Sequence, residues 1–451
     1  MMLLATRENG TGAARAPIHA LPPEAPMRFH LALVLSIFVL LGIPYRAASQ
    51  AMQLDAIPYP GGFDWLSVSG DRFVYRRQSP SLWQWYTGDA LQRSLLPLAT
   101  APVGVVGEPG YWAGAPIEQV RLADSTFVGS AHVDNGVSVN NYTAVFLRTS
   151  AAWTFLAAGF SSCATCGPTN YFFQSFTTPY VLNEGVALFG AWTRDLRYGL
   201  WTATGPNPAP LVRTGDAMPG GAVVTRIGYF QEEVAARQGG VAWIGSVQTD
   251  GDLSDRIYHW FDGTYRMIAN FSEVLPGADG LYRPYAVAVS GENVAFVGMD
   301  SSFSTVLYLG RRGGPLQKVA QRNAPFAGQF IANPVRPCLA GETLFFQAGR
   351  AVFARLPSGT EKRLLGDGDV LDGRTLDTAA INTYGDAYSC DAGQLGVEVV
   401  FADDGSRALY RIPAPSDVPS TPTVPALGTA ASVTLLFALA ALAAFNAHRR
   451  S

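Results

Sequence analysis

Apolar and polar positions along this chain alternate in short bursts that come in sets. Residues 185–190 lead to 198–201 and then 210–213; 240–245 lead to 256–260 and 265–269; 293–298 lead to 305–309 and 316–320. Each burst is rich in β-branched and aromatic residues and closes on Gly, Asp, Asn or Pro, the punctuation of strands and tight turns. A fainter burst precedes two of the sets, at 225–230 and 285–289. Four antiparallel strands recurring every ~50–55 residues describe a propeller blade. Apolar spacing of three and four is not sustained before residue 427, so the body carries no helix signal.

Extending the pattern predicts seven units. The first has 72–75, 82–85 and 94–96; the second 126–129, 144–147 and 154–156; the sixth 343–346, 351–354 and 362–365; the seventh 398–401 and 409–410. Divergence of the first two units, and the long loop-like stretch 99–116, leave six and eight open. The recurring join is clearest in Leu211-Val212-Arg213-Thr214-Gly215-Asp216-Ala217-Met218-Pro219-Gly220-Gly221, a strand end running into a Gly/Pro turn. Met52-Gln53-Leu54-Asp55-Ala56-Ile57-Pro58-Tyr59-Pro60-Gly61-Gly62 matches it but has no inner strands before it, while 408–412 has no fourth strand after it. The N-terminal strand is therefore expected to complete the last blade, closing the ring and removing two sheet edges. The fold class predicted is all-β, a propeller of four-stranded blades.

The flanks read differently. Residues 1–26 are polar and patternless; Met27-Arg28-Phe29-His30 opens an apolar run, 31–43, followed by Ala47-Ala48-Ser49. That order is an export signal, expected to be cut by signal peptidase near Ser49, with Met27 the expected initiator. Residues 1–49 thus form an N-terminal extension and signal peptide, and 50–413 the propeller. A Pro/Ser/Thr-rich linker occupies 414–425. In 426–451, about twenty apolar residues suffice for one transmembrane helix, and Arg449 and Arg450 would keep its end cytoplasmic.

Composition adds little to this. The chain has 451 residues, 48% hydrophobic and 15% charged, with 47 glycines, which suits a Gly-punctuated β protein. A net charge of -3 without a basic stripe argues against nucleic acid as a partner.

Candidate chemistry is sparse. Four cysteines in an exported chain favour disulfides over metal sites. Cys163 and Cys166 lie in a Ser/Gly/Pro loop and predict a local bridge, since no helix N-terminus is there to lower a thiol pKa. Cys338 and Cys390 share one register before the second strands of units six and seven, which predicts a bridge between adjacent blades. His259, between Tyr258 and Trp260, reads as structural; His132 with Asp134 is a weak start on a Ser-His-Asp triad. Asp367, Asp369 and Asp372 space carboxylates as calcium loops do, as do residues 250–255, but Asp and Gly are also what turns prefer. Trp83, Trp85, Tyr111 and Trp112 could stack on sugars, although Trp in strands is more often core. Many Asp and Glu could supply a glycosidase pair, and the sequence selects none. The sialidase box Ser-x-Asp-x-Gly-x-x-Trp is absent.

Two resemblances accompany these motifs. Val424-Pro425-Ala426-Leu427, the apolar span and Arg449-Arg450 together resemble the tripartite C-terminal sorting signals of the PEP-CTERM and IPTL-CTERM class. Ala426 departs from the usual form, and the common Ser-Glu-Trp does not follow. The resemblance implies a sorting protease as partner, with a plain membrane anchor as the alternative. The stretch 212–221 resembles the recurring element of bacterial "choice-of-anchor" repeat proteins, over roughly residues 170–412. It implies a secreted propeller-like body and carries no established activity or functional residues. The function expected is an exported, cell-surface or extracellular, non-catalytic binding propeller for a glycan, peptide or matrix ligand, with no resident cofactor beyond the calcium reading. The alternative is a carbohydrate hydrolase or lyase using paired carboxylates.

Overall fold

A computed structural model describes residues 51–415, except 58–62, 79–82, 90–91, 96–116, 134–141, 150–152, 160–171, 175–178, 220, 229–230, 250–251, 278–279, 312 and 382–389. The export segment, the linker, the sorting motif, Cys163, Cys166, Asp134, Tyr111 and Trp112 lie outside the described residues, as do the side chains of Trp83 and His132.

The described chain folds into seven antiparallel sheets, each with four strands in line, so the count is that of a seven-bladed propeller. Blade 1 runs Phe63–Ser69, Arg72–Gln78, Trp83–Gly88, Arg93–Leu95, and blade 2 Ile117–Ala123, Thr126–Val133, Tyr142–Arg148, Thr154–Ala158. In blade 3 the inner strand has two parts, Phe172–Gln174 and Tyr180–Asn183, before Val186–Thr193, Tyr198–Ala203 and Ala209–Arg213. Blade 4 likewise has Val223–Ile227 and Val234–Arg237 before Gly240–Thr249, Asp252–Phe261 and Thr264–Asn270. Blade 5 is Leu281–Ser290, Asn293–Asp300, Thr305–Gly310, Gln317–Gln321; blade 6 is Pro334–Ala340, Thr343–Ala348, Ala351–Arg355, Glu361–Leu365. Blade 7 takes Arg374–Ala380 with Cys390–Asp391 as its inner strand, then Gln394–Phe401 and Arg407–Pro413.

The outer strand of blade 7 is Met52–Ile57, antiparallel to the third strand from Met52↔Arg411 to Ile57↔Arg407. This latch is held sideways as well as edge-on. Asp55, 6% exposed, accepts from Tyr75 Oη at 2.9 Å and Arg77 Nη1 at 3.1 Å, both in blade 1.

Every neighbouring pair of blades is stitched near the hairpin between first and second strands. Trp65 Nε1 donates to Val120 O (2.6 Å), Gly185 N to Thr126 Oγ1 (2.9 Å), Gly239 N to Leu182 O (2.9 Å) and Gly291 N to Arg237 O (3.1 Å). Gly341 N donates to Ser290 Oγ (3.0 Å), Cys338 is bonded to Cys390 with Cα atoms 6.0 Å apart, and Ser69 Oγ donates to Asp391 Oδ2 (2.5 Å). The circuit 1-2-3-4-5-6-7-1 is thereby closed. Packing is tight enough that a Cβ on Gly240 would lie 2.2 Å from the Gly291 carbonyl oxygen in the next blade.

The apolar periodicity of the repeats is explained by aromatic residues directly opposite one another on second and third strands. Trp243 faces Tyr258, Phe296 faces Tyr308 and Phe346 faces Phe353, with ring centroids 5.7, 5.1 and 5.5 Å apart. Such cross-strand pairs contribute ~0.2–1 kcal/mol each, and burial of the rings between blades contributes more.

The Gly/Pro join is the device that spaces blades. After the outer strand the chain makes a short hairpin: Gly215 N donates to Val224 O and Val224 N to Asp216 O, as do Gly368 N to Leu376 O and Leu376 N to Asp369 O. The apolar residue two places after Asp216 or Asp369, Met218 or Leu371, is a buried peg, and Phe326 occupies the matching place before blade 6. Phe326 meets Phe346 and Phe353 edge-on at 4.9 and 5.8 Å.

Candidate functional site at the ring axis

Antiparallel pairing gives the ring two unlike faces. The turn face carries the first–second and third–fourth hairpins. The connection face carries the second–third hairpins and the joins from blade to blade. Seven exposed large apolar side chains, Leu196, Val223, Leu253, Val274, Phe303, Phe330 and Val370, all lie on the connection face. Both ends of the propeller chain lie on the other one: Pro413 pairs with Gln394 just after a turn-face hairpin, and Met52 pairs with Arg411.

Inner strands line the axis, and they are interrupted. In blade 4, Ile227 pairs with Gly245 and Val234 with Trp243, so residues 228–233 stand opposite Ile244 alone. The excursion folds back so closely that a Cβ on Gly228 would lie 2.5 Å from Glu233 Cβ. The expected strand 225–230 is corrected accordingly: it spans Val223–Ile227, turns through the 3₁₀ segment Gln231–Glu233, and resumes at Val234. In blade 5 the register slips twice, between Leu281 and Arg283 and between Pro284 and Ala286. In blade 6 it slips between Val335 and Cys338, with Arg336 at φ 50°. In blade 7, Ala380 pairs with Glu398 and Cys390 with Leu395. Bulges re-aim side chains, and a non-glycine residue at positive φ is held there by its surroundings.

The described side chains at these interruptions come from three consecutive blades. Tyr285, 39% exposed, donates its hydroxyl to Glu232. Burial, with the Glu232 charge second, pushes the phenol pKa up, so Tyr285 stays protonated; Arg336 and Arg283 oppose that shift through their positive charges. Arg336 Nη1 also donates to Ile381 O at 3.0 Å, and Arg226 Nη2 pairs with Glu233 Oε1 at 2.6 Å.

At the turn face the axis is crossed by charge. Arg237 of blade 4 places Nε 3.8 Å from Asp391 Oδ1 of blade 7, and the two side chains are 5% and 6% exposed. Asp391 also accepts from Ser69 Oγ and Ala392 N. An ion pair this buried contributes little net stability, but breaking it on one side is costly.

The other sequence-predicted residues occupy framework positions. The Cys338–Cys390 bridge forms, although the two positions differ by one residue in register: Cys338 pairs with Phe345 and Cys390 with Leu395. His259 is buried, its Nε2 2.9 Å from Gly291 O and its Nδ1 accepting from Arg266 Nε at 3.1 Å. Burial lowers its pKa to about 4, with the Arg266 charge pulling the same way. Asp369 accepts two bonds from Arg363 Nη1, both at 2.6 Å, and one from Gly366 N at 2.9 Å, as Asp216 does from Arg197 and Arg213 N. Asp372 accepts from Tyr410 Oη at 2.7 Å, and Asp367 offers its carbonyl to Arg363. The acidic run 250–255 is not a turn as expected: Asp252 opens the ten-residue third strand of blade 4, and Asp255 accepts from Ser246 Oγ within that sheet. Trp85 is core at 2% exposure. Buried carboxylates among the described residues are Asp55, Asp391 and Glu398, each paired with an arginine, in Glu398's case Arg407 at 3.0 Å.

Glu232, Tyr285, Arg283 and Arg336 escape a reading based on alternation, because they sit where alternation fails. The available signal is local: Gly228 and a run of polar residues divide two strand-like fragments, and Arg336-Pro337 breaks another.

No family model and no curated protein matches the chain. Among solved structures it is similar to the β-propeller domain of the Trilobed protease from Pyrococcus furiosus, at 7% identity and a TM-score of 0.47, covering 78% of this chain and 95% of that one. A prolyl endopeptidase is 12% identical with a TM-score of 0.42, covering 86% of this chain; this chain spans about half of that enzyme, 52%. The Aleuria aurantia lectin is 10% identical with a TM-score of 0.28, covering 58% of this chain and 79% of that one. At TM-scores below 0.5 these likenesses carry nothing about activity.

Proposed function

We propose that this chain is an exported, non-catalytic binding propeller that engages its ligand on the connection face and at the axial mouth of blades 4–6. The observation that carries the reading is the gathering of the seven exposed apolar side chains on that one face, beside inner strands interrupted at the axis. Scattered apolar residues are ordinary on a surface, whereas a face that collects them suits recognition. The arginine partners of Asp55, Asp391 and Glu398 suit a framework role for these carboxylates.

In this reading signal peptidase removes the leader, and the C-terminal segment holds the protein at the bacterial cell surface, permanently or until a sorting protease cuts near Val424–Leu427. The chain leaves the propeller on the turn face, so the tether would point the connection face away from the bilayer. Glycan-array and hydrolase screening of the purified protein tests the function. Saturable binding without turnover is the expected result. Turnover of a carbohydrate would instead establish the hydrolase or lyase alternative.

A further inference from the structure

The mouth of blades 4–6 is chemically unlike the rest of the axis. Three successive inner strands depart from regular pairing at one level, and each departure brings out a polar side chain: Glu232 from blade 4, Arg283 and Tyr285 from blade 5, Arg336 from blade 6. The conformation is built rather than incidental, since Gly228 admits the excursion only for lack of a side chain and Arg336 is held at positive φ.

From this arrangement we infer that the mouth of blades 4–6 binds a saccharide bearing carboxylates, a uronic-acid oligosaccharide. The inference rests on the binding reading above and names its ligand. Tyr285 offers an exposed aromatic ring whose hydroxyl is tied to Glu232, a fixed platform for the apolar face of a sugar ring. Glu232 is an acceptor suited to a sugar hydroxyl. The two guanidiniums are planar donors that match a carboxylate in a fork. Arg226 is neutralised by Glu233, so Arg283 and Arg336 outnumber the one remaining carboxylate, Glu232. A neutral sugar would leave that positive charge unused. An acidic peptide would use the charge but has no ring of hydroxyls for Tyr285 and Glu232.

Calorimetric titration of the full chain decides it, with tetragalacturonate, tetramannuronate, fully methyl-esterified tetragalacturonate and tetraglutamate as probes. At least one uronate should bind, esterification should weaken a bound galacturonate about tenfold or more, and Arg283→Gln should weaken the uronate by about tenfold, the loss of one charge-assisted contact. Tyr285→Ala should weaken it as well. Arg283 and Tyr285 are both exposed, so these variants are compatible with folding, which an unchanged unfolding midpoint verifies. Equal binding of the methyl ester, equal or tighter binding of tetraglutamate, no binding of either uronate, or indifference to both substitutions would overturn the proposal. A neutral glycan or peptide that binds and is lost in Tyr285→Ala removes the ligand class but leaves the binding mouth. Turnover removes the binding reading itself.

Discussion

Substituting Asp55 with alanine tests how the ring is held shut. The latch Met52–Ile57 has backbone pairing on one edge only, so its docking depends on what its side chains grip. Asp55 is the polar grip: 6% exposed, 2.9 Å from Tyr75 Oη and 3.1 Å from Arg77 Nη1. Removing the acceptor from the fully buried Tyr75 costs ~1–3 kcal/mol. The Arg77 pair is discounted to ~1 kcal/mol because its side chain is 29% exposed. The sum is about 3 kcal/mol for Asp55→Ala, and Asp55→Asn, which can still accept from the phenol, should lose roughly a third of that. Urea unfolding followed by tryptophan fluorescence reads the first quantity as a lower midpoint at unchanged slope. Hydrogen exchange reads its location: amides of Met52–Ile57 and Arg407–Pro413 should speed up before those of blade 4. A loss below ~0.5 kcal/mol, the size of an ordinary surface substitution, or acceleration spread equally over all blades, would refute the idea that this carboxylate seals the ring.

The remaining expectations are simpler. Replacing Cys338 and Cys390 with serine should cost ~4 kcal/mol by the chain-entropy relation for a 52-residue separation; an unfolding midpoint insensitive to reductant would contradict it. His259, with its pKa lowered from 6.5 to about 4, resists a proton that the unfolded chain accepts, so stability should fall as pH drops from 6.5 to about 4, by ~3 kcal/mol in all. His259→Gln should flatten that part of the pH–stability curve, and an unchanged slope would rule His259 out as its source. Phe326→Ala removes the peg between blades 5 and 6 and should cost ~3–5 kcal/mol in denaturant unfolding. Gly240→Ala drives a methyl into the Gly291 carbonyl and should destabilise by more than a typical surface change, read as a lowered thermal midpoint.

The sequence by itself determined the all-β character, the repeat length, the unit count and the borrowed outer strand, because each is written in local alternation and turn residues that act within one hairpin. It also determined the Cys338–Cys390 pair, since two cysteines at nearly matching places in adjacent repeats meet once the repeats stand side by side. The tertiary structure alone decided the axial chemistry. Whether residues 228–233 continue a strand or leave it depends on Ile227 and Val234 pairing with the same neighbour, and Arg237 meets Asp391 only because blades 4 and 7 face each other across a closed ring. Likewise Asp369 reads as an ion ligand until Arg363 is placed against it. Alternation records which side chains lie between sheets. It holds no information about which polar groups from distant repeats share the axis, because closure of the ring brings those together.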